Sequence, residues 1–98
     1  MAITRSHVLR MLTEHKIELM RRFGVTDLAL FGSTARDAAG EGSDVDVLVA
    51  FDGPATSERY FGVQFYLEDL LDCPVDLVTD KALRSELRPY VEREAVHV

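Results

Sequence analysis

The sequence predicts an α/β protein of the α+β kind, in which helices pack on a small mixed sheet of three to four strands. Short apolar segments with the length of buried strands alternate with longer segments whose apolar residues recur every three or four positions. The chain has 98 residues, of which 47% are hydrophobic and 29% charged, as in ordinary folded proteins. This length supports one core, so residues 1–98 are expected to form a single domain.

The first predicted element is a helix over residues 6–23, where apolar side chains recur at spacings of three and four. Gly24 follows it, at the position where a glycine commonly ends a helix in the left-handed conformation. Thr13 is a residue type that caps helices, so this stretch fits one kinked helix as well as two short ones.

Three strands are predicted, at residues 28–31, 45–51 and 75–79, and the last of them directly follows Pro74. Each is a compact apolar run or an alternation of apolar and polar residues. Because helical segments separate these strands, we expect them to meet in one sheet that carries helices.

Three further helices are predicted between and after the strands. A short one starts within residues 34–39, and a longer one covers residues 57–71. The last covers residues 83–95, with Pro89 either interrupting it or opening its last turn.

The net charge of −6 is unevenly distributed along the chain. Residues 1–24 carry five basic and two acidic side chains, whereas residues 25–80 carry two basic and twelve acidic ones. An acidic middle repels nucleic-acid phosphates, so direct binding of nucleic acid is not expected. The same acidic stretch is able to hold divalent cations that in turn bind phosphates.

No membrane segment is expected, because the longest apolar run, residues 47–51, is far shorter than the roughly 20 residues of a membrane span. No secretory leader is recognised at the start of the chain. Cys73 has no second cysteine with which to form an internal disulfide, and it is expected to be a small core residue. These observations predict a cytoplasmic protein.

A Gly32-Ser33 pair follows the first predicted strand, and a helix is expected to start directly after it. Glycine lets a backbone approach a ligand closely, and the free N–H groups at a helix start favour a phosphate. The Ser33 hydroxyl adds a donor, and the Arg36 guanidinium suits a phosphate one turn further on. Taken alone, this pair is more often a plain turn followed by a helix.

Asp44 and Asp46 stand one residue apart at the start of the second strand, so their carboxylates are expected on the same face. Their Cα atoms would lie about 6.5–7 Å apart. The valines at positions 45, 47 and 49 then point to the opposite face, into the core. An exposed sheet edge would also explain two such aspartates on their own.

Asp76 repeats this design in the third strand, between Val75 and Leu77. If the second and third strands pair in a suitable register, Asp44, Asp46 and Asp76 meet on one face. Three clustered carboxylates are costly to keep ionised unless cations share them, and Mg²⁺ prefers such oxygen ligands. Two metal ions about 3.5–4 Å apart would then activate an attacking hydroxyl and stabilise a leaving pyrophosphate.

Together, Gly32-Ser33, ten intervening residues, Asp44-x-Asp46 and the later Asp76 resemble the signature of the nucleotidyltransferase superfamily related to DNA polymerase beta. Within it, residues 9–98 resemble the minimal nucleotidyltransferases, the MNT antitoxins that are paired with HEPN-domain toxins. The shared features are the Leu-Phe-Gly-Ser-x-Ala-Arg turn, the Val-Asp-Leu-Val strand at residues 75–78 and the tail at residues 94–98.

The resemblance implies an antitoxin of a type VII-like HEPN/MNT pair with a nucleotidyltransferase core. Its activity would be the transfer of AMP from ATP to a tyrosine of the HEPN RNase toxin, with two Mg²⁺ ions as cofactors. Asp44 and Asp46 would bridge the metals, and Asp76 would bind one and help deprotonate the acceptor. The triphosphate would be seated by Gly32, Ser33 and Arg36. The implied partners are ATP and the toxin, in a hetero-oligomer or beside a homo-oligomer of this chain.

Two alternatives remain open at this point. The chain would neutralise a toxin by contact alone if its fold were retained and its site idle. It would instead modify a small molecule if it were of the aminoglycoside-modifying kind, although such relatives usually add a helical domain that this short chain has no room for. The intact Asp44, Asp46 and Asp76 argue against an idle site.

The predicted helix over residues 57–71 is unusually rich in apolar residues, with eight in the twelve positions 60–71. A helix that faces one core needs only about three in seven. The surplus, Phe61 with Phe65 or Tyr66, is expected to contact a partner or a second copy of this chain. The three histidines form no cluster with the spacing of a zinc site.

Overall fold

The computed structural model describes residues 4–35 and 44–98. Helices and strands alternate along the chain, as the sequence predicts. The elements are α1 (Arg5–Phe23), β1 (Val25–Phe31), α2 (Gly32–Ala35), β2 (Val45–Phe51), α3 (Ser57–Leu71), β3 (Val75–Thr79), α4 (Arg88–Glu94) and β4 (Val96–His97).

The strands form one four-stranded mixed sheet in the order β3-β2-β1-β4. β2 and β3 run parallel, whereas β1 is antiparallel to both of its neighbours, β2 and β4. A parallel pair cannot be joined by a tight turn, and α3 provides the crossover between β2 and β3. The predicted fold class, a small mixed sheet of three to four strands with helices on it, is confirmed.

The core lies between one face of the sheet and the helices α1 and α3. The valines at positions 45, 47 and 49 in β2 are fully buried, as their alternation predicts. α1 and α3 each contribute three buried apolar residues at helical spacing. The buried cluster comprises Val8, Leu12, Leu19, Val25, Leu28, Leu30, Ala35, Val45, Val47, Val49, Val63, Leu67, Leu71, Val75 and Leu77.

α1 is one continuous helix, so the two-helix alternative is wrong. The Thr4 hydroxyl accepts a hydrogen bond from the His7 N–H at 3.2 Å and caps the N-terminus. Thr13 caps nothing; its hydroxyl donates to the Leu9 carbonyl oxygen at 2.7 Å, one turn back inside the helix. Gly24 ends the helix at φ 74°, in the left-handed conformation that the sequence predicts.

β1 begins at Val25, three residues before the predicted start. Val25 pairs with Phe51 and Asp27 with Ala50, with a register shift between the two pairs. The polar Thr26 and Asp27 interrupt the apolar run and hide this part of the strand from a pattern search. For β2, α3 and β3, the predicted first and last residues are those of the structure.

The end of the chain differs from the sequence prediction in two ways. α4 begins at Arg88 rather than at residue 83, because Pro89 lies in its first turn, where a missing N–H costs nothing. Val96 and His97 form a short strand that the sequence did not predict, and they pair with Leu30 and Ala29 of β1. Two residues are too few to give a periodic signal.

The helix predicted to start within residues 34–39 begins earlier, at Gly32, as α2, which covers Gly32–Ala35. Arg36 and the rest of that predicted segment lie outside the described residues. In the described ranges, none of the helices has both the length and the apolar character that crossing a bilayer demands.

Candidate active site

Asp46 of β2 and Asp76 of β3 lie directly opposite each other across the parallel strand pair. Neighbouring strands are about 4.7–4.9 Å apart, so the two residues stand side by side. The residues on either side of each aspartate are buried in the core, while Asp76 is exposed and Asp46 half-buried. The pair therefore lies on the sheet face that α1 and α3 leave uncovered.

Burial of the opposite face fixes this register. The partners that flank the pair are Val45 with Val75 and Val47 with Leu77, and all four side chains are buried. A slip of one residue would bring an aspartate into the core and a valine to the surface. The same apolar alternation that builds the core thus sets Asp46 beside Asp76.

Gly32 holds the third part of the site, at the junction of β1 and α2. Its φ of 74° lies in the left-handed region that favours glycine. A Cβ built on Gly32 would overlap the Asp46 carboxylate and would lie 2.9 Å from its Cγ atom. Phe31, the preceding residue, pairs with Asp46 across the antiparallel strands. Glycine is therefore required here both by conformation and by the space that the Asp46 carboxylate occupies.

Asp44 lies immediately before β2 and is exposed. The Val45 N–H donates to the Pro74 carbonyl oxygen at 3.0 Å, which joins the start of β2 to the residue before β3. Asp44 consequently lies at the same end of the sheet as Asp46 and Asp76. β2 begins at Val45, as predicted, so Asp44 directly precedes the strand.

Cys73 reports on the charge at this end of the sheet. Burial raises the pKa of its thiol, and the negative charges of Asp72, Asp44 and Glu68 raise it further. The thiol is partly buried and packs against the core, in agreement with its predicted role as a small core residue. Its link to Asp44 was not predicted.

Thr34 is the functional candidate that sequence reasoning missed. It is fully buried in α2, and its hydroxyl oxygen has no hydrogen-bond partner among the described residues. A buried hydroxyl without a partner is costly, so such groups call for a ligand or a water. The sequence gives little signal for it, because threonine in a short helix after a turn is unremarkable.

The described donors fit a divalent cation. They are carboxylates, the ligands that Mg²⁺ prefers, and one of them, that of Asp46, lies against the Gly32 backbone. Among residues 4–35 and 44–98, no group of three or more potential metal ligands is gathered tightly enough to hold an ion. Strand register brings Asp46 and Asp76 together, and Asp44 lies nearby at the same sheet end. The Ser33 side chain and Arg36 belong to the part of the chain that is not described.

A mixed sheet with aspartates near the starts of two parallel strands and a glycine turn beside one of them is compatible with a nucleotide-transfer site. The chain belongs to the nucleotidyltransferase domain family, whose model matches residues 12–97. It is 42% identical to the protein adenylyltransferase MntA of Thermococcus cleftensis, over 98% of this chain and 97% of that protein.

Solved structures agree with this assignment. The fold is similar to a structure named for a minimal nucleotidyltransferase, with a TM-score of 0.81 and 37% identity over 96% of this chain and 95% of that one. A toxin–antitoxin structure with AMP-PNP matches at a TM-score of 0.71 and 23% identity, over 86% of this chain and 69% of that one. A complex of the tri-AMPylated HEPN toxin of Shewanella oneidensis with its MNT antitoxin matches at a TM-score of 0.65 and 21% identity, over 92% of this chain and 70% of that one. At the last two identities the likeness is one of fold.

Proposed function

We propose that this chain is a protein adenylyltransferase and the antitoxin of a type VII-like HEPN/MNT pair. It would transfer AMP from ATP to a tyrosine of its partner, a HEPN-domain RNase toxin, and so silence it. The observation that carries this proposal is the pairing of Asp46 with Asp76 beside Gly32. The relative named protein adenylyltransferase supports it, since the similarity covers nearly the whole of both chains.

In the proposed reaction, the tyrosine oxygen forms a bond to the α-phosphorus of ATP. The bond from that phosphorus to the bridging oxygen breaks, and pyrophosphate leaves. When bound, two Mg²⁺ ions would neutralise the charge of the triphosphate and polarise its phosphoryl oxygens. We assign Asp44, Asp46 and Asp76 as the residues that hold them.

The different exposures of the aspartates suggest different roles. Asp46 is half-buried against Gly32 and has little freedom to move, which suits a fixed ligand. Asp76 is exposed, on the sheet face that a protein acceptor would approach. We therefore assign Asp76 a second role, in which its carboxylate accepts the proton of the tyrosine hydroxyl. Gly32, Ser33 and Arg36 would bind the triphosphate.

In the part of the chain that the structure describes, helices α1 and α3 leave one side of the site uncovered, which favours a protein acceptor. In the described ranges, α1 and α3 cover only the opposite sheet face, and the chain spans 97% of a relative that is named for acting on protein. A folded acceptor would itself supply part of the closure that larger enzymes obtain from an extra domain. Because ATP is abundant in the cytoplasm, the proposal agrees with the cytoplasmic localisation predicted from the sequence.

The test is to incubate the purified chain with Mg²⁺, ATP and the toxin encoded beside it, and to measure the intact mass of both chains. We expect the toxin to gain multiples of one AMP and the Asp44→Ala, Asp46→Asn and Asp76→Asn variants to lose this transfer. Glu14→Gln, which removes an exposed carboxylate from α1, serves as the matched control and is expected to retain it.

Two outcomes would contradict the proposal. A stable complex without any mass change, together with full neutralisation by the Asp44→Ala/Asp46→Ala double variant, would favour neutralisation by contact alone. Equally fast AMP transfer to a free small molecule would favour an enzyme of the aminoglycoside-modifying kind.

A further inference from the structure

The outer face of α3 carries two exposed phenylalanines that the core does not use. Phe61 is 48% and Phe65 62% exposed, although both are large apolar side chains. Their rings stack with centroids 6.1 Å apart and an interplanar angle of 23°, and Tyr60 meets the Phe61 ring edge-on at 5.2 Å. The two rings therefore form one ordered apolar surface, which we call the Phe61/Phe65 face.

A groove of about 650 Å³ between α1 and α3 continues this face. Its lining includes Arg22, Phe23, Gly62, Phe65 and Tyr66. A Cβ on Gly62 would lie 2.9 Å from Cδ1 of Phe23, so glycine allows the Phe23 ring to lie directly on α3. The Tyr66 hydroxyl is held by Nδ1 of His15 at 2.6 Å. The groove is thus bounded by fixed aromatic rings.

Acidic side chains bracket the Phe61/Phe65 face at both ends. Glu58 lies one turn before Phe61 and Asp69 one turn after Phe65, and both are exposed. At 1.5 Å per residue, the two acids are about 16 Å apart along the helix. Of the nearby cations, Arg59 pairs with Asp52 at 2.8 Å, whereas Arg22 of α1 lies over the Phe23 ring at 5.1 Å and lines the same groove. The charge that α3 itself presents to a docking molecule is negative.

This arrangement disfavours a second copy of the chain as the occupant. In a two-fold contact centred on the phenylalanines, α3 would meet its own copy in antiparallel or parallel orientation, according to the direction of the axis. Glu58 lies five and Asp69 six positions from the centre at position 63, so Glu58 of each copy would face Asp69 of the other in the antiparallel case and Glu58 in the parallel case. Two pairs of like charges would then flank the apolar contact, which destabilises it.

We propose that the Phe61/Phe65 face and its groove dock a partner protein that presents an apolar helix face flanked at both ends by Lys or Arg. The apolar face would cover the two rings, and the flanking cations would pair with Glu58 and Asp69. This surface lies on the side of the sheet opposite to Asp46 and Asp76, so it is separate from the candidate active site. The inference does not depend on the proposed AMP transfer.

The probe for the test is a fluorescein-labelled helical peptide with a leucine stripe and a lysine one turn beyond each end of the stripe. Its counterpart has glutamate at both lysine positions. Binding to the full chain is measured by fluorescence anisotropy. We expect the lysine peptide to bind at least about tenfold more tightly, a difference of about 1.4 kcal/mol.

Two double variants locate the binding surface. Phe61→Ser/Phe65→Ser is expected to weaken binding of the lysine peptide at least about tenfold, because the covered rings are lost. Ile17→Ser/Met20→Ser is the matched control, since these α1 side chains are 63% and 46% exposed and lie on the far side of α1 from Arg22. The control is expected to bind as the unchanged chain does.

The charge variant Glu58→Lys/Asp69→Lys tests the partner chemistry at exposed positions that do not endanger folding. It is expected to reverse the preference, so that the glutamate peptide binds more tightly. Equal binding of both peptides, or an equal loss in the Ile17→Ser/Met20→Ser control, would overturn the proposal. Sedimentation equilibrium that shows a dimer broken by Phe61→Ser/Phe65→Ser would overturn it in favour of a second copy.

Discussion

Gly32 and the Asp46 carboxylate share a space that admits no side chain at position 32. The glycine turn and the aspartate come from different strands and are joined only by the pairing of Phe31 with Asp46. At the scale of single residues, the site is therefore defined by an absent Cβ as much as by the carboxylates present. The consequence can be tested by adding one carbon atom.

Gly32→Ala is expected to reduce AMP transfer by about 100-fold or more, because the new Cβ displaces the Asp46 carboxylate and small misplacements of catalytic groups carry such costs. The left-handed φ of 74° adds conformational strain. Gly53→Ala is the matched control, since its Cβ would meet only Nη1 of Arg59 at an ordinary 3.5 Å. Full transfer by Gly32→Ala in the intact-mass assay would contradict the geometry.

Cys73 gives a pH-dependent readout of the same sheet end. Because burial and then the charges of Asp72 and Asp44 raise its pKa, the thiol stays protonated at neutral pH and alkylation by iodoacetamide is expected to be slow. The folded state holds this proton more tightly than the unfolded state. Stability is therefore unaffected below the ordinary thiol pKa and falls as the pH rises above it.

Asp44→Asn is expected to lower the pKa of the Cys73 thiol and to speed alkylation at pH values near 8, as measured by mass spectrometry. Glu14→Gln again provides a control in which a distant carboxylate is removed. An unchanged alkylation profile in Asp44→Asn would show that Asp44 lies too far from the thiol to influence it.

At the scale of elements, β4 is the smallest strand and closes an edge. Val98 donates its N–H to the Leu28 carbonyl oxygen at 3.0 Å, and Lys16 donates to the Val98 carbonyl oxygen at 2.5 Å. Val96 and Val98 also pack against the core. The tail thus ties β1 to α1 and covers strand groups that would otherwise be open to another chain.

Removal of residues 96–98 is expected to lower the free energy of unfolding by about 2–4 kcal/mol, from the lost hydrogen bonds and valine burial. The shortened chain should also aggregate more readily, because the β1 edge is uncovered. Urea unfolding and light scattering measure the two effects. Unchanged stability in the 96–98 deletion would contradict this role of β4.

How far each element could be predicted depends on its pattern. α3 and β3 were predicted to the residue, because a fifteen-residue helix and an alternating strand each repeat their period several times. β4 was missed because two residues contain no period, and its existence depends on the distant β1. α4 starts late because Pro89, which was expected either to interrupt the helix or to open its last turn, lies in its first turn.

At the scale of the whole molecule, the sequence identifies the aspartates, but it does not fix the strand register that places Asp46 beside Asp76. Twenty-nine residues lie between Asp46 and Asp76, and the register that pairs them depends on how α3 and the core pack. Sequence reasoning could state only that a suitable register would bring the carboxylates together. The contact of Gly32 with Asp46 and the buried hydroxyl of Thr34 are likewise products of the folded arrangement.

The placement of Asp46 directly opposite Asp76 lowers the stability of the metal-free protein while it supplies the carboxylates of the candidate site. Like charges on directly opposed strand residues are destabilising, so Asp76→Asn is expected to raise the stability of the metal-free protein by about 0.2–1 kcal/mol. The same variant should lose most of the stabilisation that added Mg²⁺ gives the unchanged chain. Thermal unfolding with and without Mg²⁺ measures both effects, with Glu14→Gln as the neutral control. A destabilised metal-free Asp76→Asn protein would contradict the predicted repulsion between the two strands.

The space beside the Asp46 carboxylate also has a consequence for the gene. Every single-base change of a glycine codon that specifies another amino acid specifies one with a β-carbon. Each such change at position 32 therefore places an atom where the Asp46 carboxylate lies. No single-base substitution of this codon gives an amino acid without a β-carbon. A lineage that replaces the glycine therefore loses the geometry of the site in the same mutation.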